Sequence, residues 1–185
     1  ARLLAGYNRL AGEVVRLLSE SVPAGQPIRV LEVGAGTGGL TMHLLPQLPR
    51  ERSHYLFTDV SPLFLRAAAD RFSEFPLLTT ELLDISRHAG PQGFASRLGS
   101  YDLVVAANVL HATPRLHETL THVRQLLKPN GWLLLLEGAN PPLWGDMIFT
   151  LIDGWWSFED TDLRPDYPLM RCDRWCQVLK ESGFA

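Results

Sequence analysis

The chain's 185 residues are 46% hydrophobic, which supplies one globular domain with a proper core. A net charge of −3 argues against a nucleic-acid or membrane-surface protein, which would carry a basic patch. No run of about 18 apolar residues is present to span a bilayer.

In chain order, Leu3, Leu4, Leu10, Val14, Val15, Leu17 and Leu18 form a broad apolar helical stripe, which "SVPAGQP" interrupts. "IRVLEV" is a short buried strand and "TGGLTMHLLPQL" the helix after it. "HYLFTD" is the second strand. A second helix, "SPLFLRAAADRF", has Ser61 as N-cap and Pro62 in its first turn. "LLTTELLD" is the third strand, and "ISRHAGPQGFASRLGS" a loop with room for a short helix. "YDLVVAA" is the fourth strand, and "TPRLHETLTHVRQLLK" a helix capped by Thr113. "PNGW" turns into a fifth strand, "WLLLLE". The tail is predicted to hold two helices around a Gly, Trp and Pro-rich connection. Cys172 and Cys176 lie four apart on the last helix and read as reduced, packing thiols, the usual state in a cytosol, so a cytoplasmic setting is expected. The chain starts inside a helical pattern and stops at "ESGFA", where a further element is due. It is expected to be a piece of a longer polypeptide.

Strands alternating with helices predict an α/β fold, a doubly wound and mostly parallel sheet with helices on both faces. The continuous apolar strands fit such burial. Ligands bind these sheets at the carboxyl ends of the strands.

"LEVGAGTGGL" joins the first strand to its helix. Gly34, Gly36 and Gly39 satisfy G-x-G-x-x-G, and Asp59 follows 20 residues after Gly39, where a carboxylate grips ribose hydroxyls. Alone, this pattern would also suit a nicotinamide cofactor or a tight turn without a ligand. Glu32 shifts the balance. A negative charge two residues before Gly34 gains nothing beside a pyrophosphate, but it suits the ammonium and sulfonium of S-adenosylmethionine. Gly34, Gly36 and Gly38 are then the close-approach loop for that cofactor. Asp84, ending the third strand, can receive the adenine amino group, or else cap a helix. Asn108 sits beside the glycine loop if the chain reverses direction across the sheet there, and is otherwise a turn residue.

Together "VLEVGAGTGG", "FTDVSP", "LDIS", "YDLVVAANVLHAT", "LLKPNGWLLLLE" and "GWW…DLRPDYPL" resemble the class I S-adenosylmethionine-dependent methyltransferase domains embedded in type I polyketide synthases. The resemblance runs from about Tyr7 to the C-terminus. It implies a seven-stranded sheet of order 3-2-1-4-5-7-6 and a substrate carried as a thioester on an acyl carrier protein, with other synthase domains as neighbours. It also implies a catalytic His–Glu pair, mapped onto His111 and Glu137. Against that pattern, residues 1–185 are expected to be a methyltransferase core without the preceding helical lid and truncated before the last two strands.

The residues themselves lead to the same pair. In this strand order the fourth and fifth strands are parallel neighbours about 5 Å apart. His111 follows the end of one, and Glu137 closes the other. The carboxylate can hold the imidazole in one tautomer and stabilise its protonated form. The leading expectation is methylation of the α-carbon of a β-ketoacyl chain, with His111 as base. The alternatives are O-methylation of a β-hydroxyacyl chain, an inactive domain kept as architecture, and a nicotinamide-linked reductase. Glu32 and the lack of a Tyr-x-x-x-Lys or Cys/His arrangement count against the reductase. Trp155 and Trp156 could floor a substrate tunnel or simply be core, and Tyr7 and Asn8 are candidates to approach the cofactor from the first helix. The remaining histidines read as surface residues.

Overall fold

The computed structural model describes residues 2–139, 151 and 154–185. Its elements are α1 (Arg2–Ser21), β1 (Ile28–Val33), α2 (Thr41–Leu44), β2 (Ser53–Asp59), α3 (Pro62–Arg71), β3 (Leu78–Leu82), β4 (Tyr101–Ala107), α4 (Leu116–Leu126), β5 (Leu127–Leu136) and α5 (Cys172–Glu181). The described strands form one parallel sheet of order β3-β2-β1-β4-β5. This is the expected order over its first five positions, and it puts the reversal of direction between β1 and β4.

Alternate residues of the strands feed two cores. Leu31, Val33, Val104 and Ala106 pack with Leu116, Leu120 and Val123 of α4 and with Trp175 and Val178 of α5. Val30, Tyr55, Phe57 and Val105 pack with residues of α1, α2 and α3, among them Val15, Leu44 and Leu65. Both faces of the central strands are therefore covered, which is why β1 and β4 read as nearly unbroken apolar runs. Among the described residues, no helix is long and apolar enough to cross a membrane.

Several local expectations change. The first crossover helix is only Thr41–Leu44, followed by a 3-10 turn at Leu45–Gln47. Left-handed Gly36 and Gly38 delay its start, and Pro46 cannot donate the bond that would continue it. Ser61 stands at the N-cap of α3 without a side-chain capping bond. The fourth helix begins at Leu116, not at Thr113, whose hydroxyl instead donates to the Leu110 carbonyl (2.7 Å). Asp160, from 44 residues away, accepts the Leu116 N–H in the cap's place (2.8 Å). "PNGW" is a bulge inside β5, because Tyr101 pairs with Leu127 but Leu103 pairs with Trp132. The third strand stops at Leu82, short of Asp84. Cys172 and Cys176 are free thiols, but exposed, so they do not pack as expected. The first of the two predicted tail helices lies outside the described residues.

Candidate active site

The carboxyl ends of β1, β2, β4 and β5 carry the predicted residues. After β1 the chain turns through Gly34, Gly36 and Gly38, all with positive φ. Gly34 is required twice over, since a Cβ there would also lie 2.2 Å from Cγ2 of Val109. The loop after β4 is thus pressed onto the loop after β1. A Cβ on Gly36 would meet nothing within 4 Å, although its φ of +56° still favours glycine. Gly36 therefore leaves an open approach to the backbone. Gly39 needs neither positive φ nor close packing, so the turn rests on Gly34, Gly36 and Gly38 rather than on the dinucleotide triplet.

Asp59, at the end of β2, borders this opening. Its Oδ2 accepts the Gly36 N–H (2.9 Å) and its Oδ1 the Ser61 N–H (2.8 Å). An ionised carboxylate has about four acceptor positions, so two remain for hydroxyl donors. An acidic acceptor beside an open glycine turn fits the ribose of S-adenosylmethionine. Asn8 adds a tie from α1, donating to the Gly39 carbonyl (3.1 Å), while Tyr7 is exposed.

Three further predicted residues bond to the protein's own groups. Glu32 is 1% exposed and faces inward, where it accepts from Thr41 Oγ1 (2.6 Å) and the Tyr55 hydroxyl (2.5 Å). It braces β1, β2 and α2 beneath the loop. Burial pushes its carboxyl up to about 7, against the opposing effect of the two hydrogen bonds. Asp84 turns back on its own loop, bonding the Ser86 N–H (3.0 Å) and hydroxyl (2.6 Å) and pairing with Arg87 (3.2 Å). It neither ends a strand nor caps a helix. Asn108 lies at the predicted reversal with φ +50°, but its Oδ1 accepts the Gly138 N–H (3.2 Å) on the β5 side, and Val109 makes the contact with the glycine loop.

His111 and Glu137 meet as predicted. His111 sits in a 3-10 turn, Leu110–Ala112, just past β4. Its Nδ1 lies 2.6 Å from Oε2 of Glu137. The other carboxylate oxygen accepts the N–H groups of Val109 (3.0 Å) and Leu110 (2.8 Å). The side chains are 9% and 2% exposed. An ionised carboxylate only accepts, so the imidazole donates from Nδ1 and keeps Nε2 as its basic nitrogen. Trp155 packs edge-on against the imidazole, with centroids 5.4 Å apart, and Tyr167 packs on Trp155 at 5.9 Å. Among the other histidines, His122 contacts the Ile85 carbonyl (3.1 Å) and His117 the Ser182 hydroxyl (3.1 Å), both away from this turn.

Sequence reasoning missed Arg164 and Asp160. The guanidinium of Arg164 is buried behind the His111 turn and pairs with Asp160 (2.6 Å). "DLRPDYPL" was legible as a motif, but nothing in it says which backbone groups its arginine reaches. Among the described residues, no group of three or more His, Cys, Asp and Glu could hold a metal ion.

A family model described as "Methyltransferase domain" matches residues 31–133. The methyltransferase calH of Penicillium decumbens is 44% identical over 177 residues, covering 93% of this chain and 48% of that protein. The highly reducing polyketide synthase lcsB of Purpureocillium lilacinum is 41% identical over 176 residues, 92% of this chain but 7% of the synthase. Among solved structures, the CurJ carbon methyltransferase superposes with a TM-score of 0.93 at 45% identity, covering 96% of this chain and 47% of that one. The trans-methyltransferase CalH in complex with SAH gives a TM-score of 0.83 at 38% identity, covering 98% and 52%. The chain thus spans about half the length of calH and of these two solved structures.

Proposed function

Because this chain belongs to the methyltransferase domain family, with S-adenosylmethionine as its methyl donor, we propose that it methylates the α-carbon of a β-ketoacyl chain held on an acyl carrier protein. Its setting in this reading is a cytoplasmic polyketide synthase, with neighbouring synthase domains supplying and consuming the acyl chain. The bond between His111 and Glu137 is the observation that carries the reading.

The cofactor supplies an electrophilic methyl on a sulfonium, which is already a good leaving group. What remains for the protein is to bind, to align and to take one proton. Asp59 and the open backbone at Gly36 hold the ribose end. Nε2 of His111 would take up the proton from the carbon between ketone and thioester, leaving an enolate as the nucleophile to which the bound cofactor would supply its methyl. Glu137 keeps the imidazole in the Nδ1–H tautomer and balances its charge once protonated. A carbon acid flanked by two carbonyls is within reach of a histidine. A β-hydroxyl is far less acidic, and the likeness to the CurJ carbon methyltransferase also favours carbon.

The test is intact-protein mass spectrometry of the full-length protein with S-adenosylmethionine and carrier proteins bearing β-keto or β-hydroxy chains. A methyl group should appear on the β-keto chain. His111→Ala should lower the rate by about 100-fold or more while the cofactor still binds, as loss of a general base does. Glu137→Gln should cost less, because the amide still accepts the Nδ1–H but no longer balances charge. Methylation on the oxygen of the β-hydroxy chain, or full activity in His111→Ala, would overturn the proposal.

A further inference from the structure

We propose that Arg164 is a positioning residue for the His111–Glu137 pair, clamping from behind the turn that carries the histidine; this rests on His111 being the base. The turn is intrinsically weak. It is a single 3-10 turn closed by the bonds from Ala112 N to Val109 O (3.1 Å) and Thr113 N to Leu110 O (3.1 Å). Ser157 Oγ donates to its Ala112 carbonyl (3.3 Å), and two further side chains hold it from opposite sides. From the β5 side, Glu137 takes the N–H groups of Val109 and Leu110. From the opposite direction of the same backbone, Arg164 fills the carbonyls. Its Nη1 donates to His111 O (2.7 Å), and its Nη2 to Thr113 O (2.8 Å) and Pro114 O (3.1 Å). The residue that needs the most exact placement has its own carbonyl in this clamp.

The guanidinium is itself fixed. Its Nε donates to Oδ1 of Asp160 (2.6 Å), and Phe158 lies against it at 5.3 Å. The second oxygen of Asp160 accepts the Leu116 N–H (2.8 Å). One segment thereby locks the backbone from His111 to the start of α4. The Arg164 side chain is 0% exposed. Taking a cation out of water is costly, and an apolar residue of similar volume commonly serves stability as well or better. A planar fork of donors is the feature an apolar residue cannot copy. Misplacing a reacting group by 1 Å costs on the order of 100-fold in rate, so a clamp on this turn has direct kinetic value. The same segment continues to Tyr167, which backs Trp155 against the imidazole.

Arg164→Lys, Arg164→Met and Asp160→Asn in the full-length protein test this. Calorimetric titration with S-adenosylmethionine counts folded sites by its stoichiometry, and kcat on a β-ketoacyl carrier protein is expressed per folded site. Arg164→Lys keeps the charge but can reach fewer carbonyls, and kcat should fall about tenfold. Arg164→Met should fall about 100-fold. Cofactor affinity and the KM for the carrier-bound substrate should stay within about twofold. If Arg164→Met does not fold, Arg164→Lys and Asp160→Asn carry the test, the second with a smaller fall in kcat. A kcat per folded site equal to wild type in Arg164→Lys and Asp160→Asn would overturn the proposal. So would a loss that lies entirely in the number of folded sites, as expected of a purely structural staple. His111→Ala separates the two readings. If it is inactive while Arg164→Lys runs at full rate, only the clamp fails; if it stays active, the base reading has failed.

Discussion

Asp59 divides its carboxylate between the protein and the ligand it is proposed to hold. Each oxygen already accepts one backbone N–H, from Gly36 on one side and Ser61 on the other. On the proposed reading its remaining acceptor positions would take ribose hydroxyls, at about 1.5–3 kcal/mol per charge-assisted bond. Asp59→Ala should therefore weaken S-adenosylmethionine by tenfold or more, through lost ribose bonds and through a loosened Gly36. Calorimetry on the variant checks this, and an unchanged affinity would mean that the ribose lies elsewhere. The spacing of glycines and acid made Asp59 readable in the sequence. Glu32 was readable only as an acid near the loop. Strand alternation sends it inward, onto a threonine and a tyrosine whose partnership no local pattern announces.

Elements with strong periodicity were legible: the five strands, their parallel pairing and α3 appear close to where their apolar runs place them. Ends were not, and for a physical reason. Sequence reading looks for caps among neighbouring residues, yet α4 is capped by Asp160 and the turn before it by Arg164, both brought in by tertiary packing. The His–Glu pair was legible because two strand ends in a known order must adjoin. The packing of one loop on another was invisible, and Gly34 shows what it demands. With its Cβ 2.2 Å from Val109 Cγ2 and a φ of +57°, Gly34→Ala meets both a clash and a left-handed backbone. The strained conformation costs about 1–2 kcal/mol and the overpacking about 1–3 kcal/mol. Gly34→Ala should lower the thermal midpoint and cofactor affinity together. Adding Val109→Ala should recover part of the stability by relieving the clash, but not the part due to φ. Thermal melts of the single and double variants measure the split, and no recovery in the double variant would refute the loop-on-loop account.

For the molecule as a whole, the buried Glu32 makes stability depend on pH. It ties β1 to β2 through Tyr55 and to α2 through Thr41, so its state is felt across one face of the sheet. Burial, the larger cause, raises its pKa from 4.5 to about 7 in the folded protein, while the two hydrogen bonds pull it the other way. A carboxyl with a raised folded pKa keeps its proton longer in the native state than in the unfolded one. Between pH 4.5 and 7 the native state therefore binds more protons, and stability falls as pH rises. The contribution is fully present below about pH 4.5 and lost above about pH 7, with an upper size of about 3 kcal/mol at 1.36 kcal/mol per unit. Glu32→Gln removes the titration while keeping an oxygen to accept from Thr41 and Tyr55. Denaturant unfolding at pH 5 and pH 8 should show wild type losing more stability over that interval than Glu32→Gln. The variant should match or exceed wild type at pH 8, where the buried charge is gone. An identical pH dependence in both proteins would assign the slope to other groups and leave Glu32 as a neutral brace throughout.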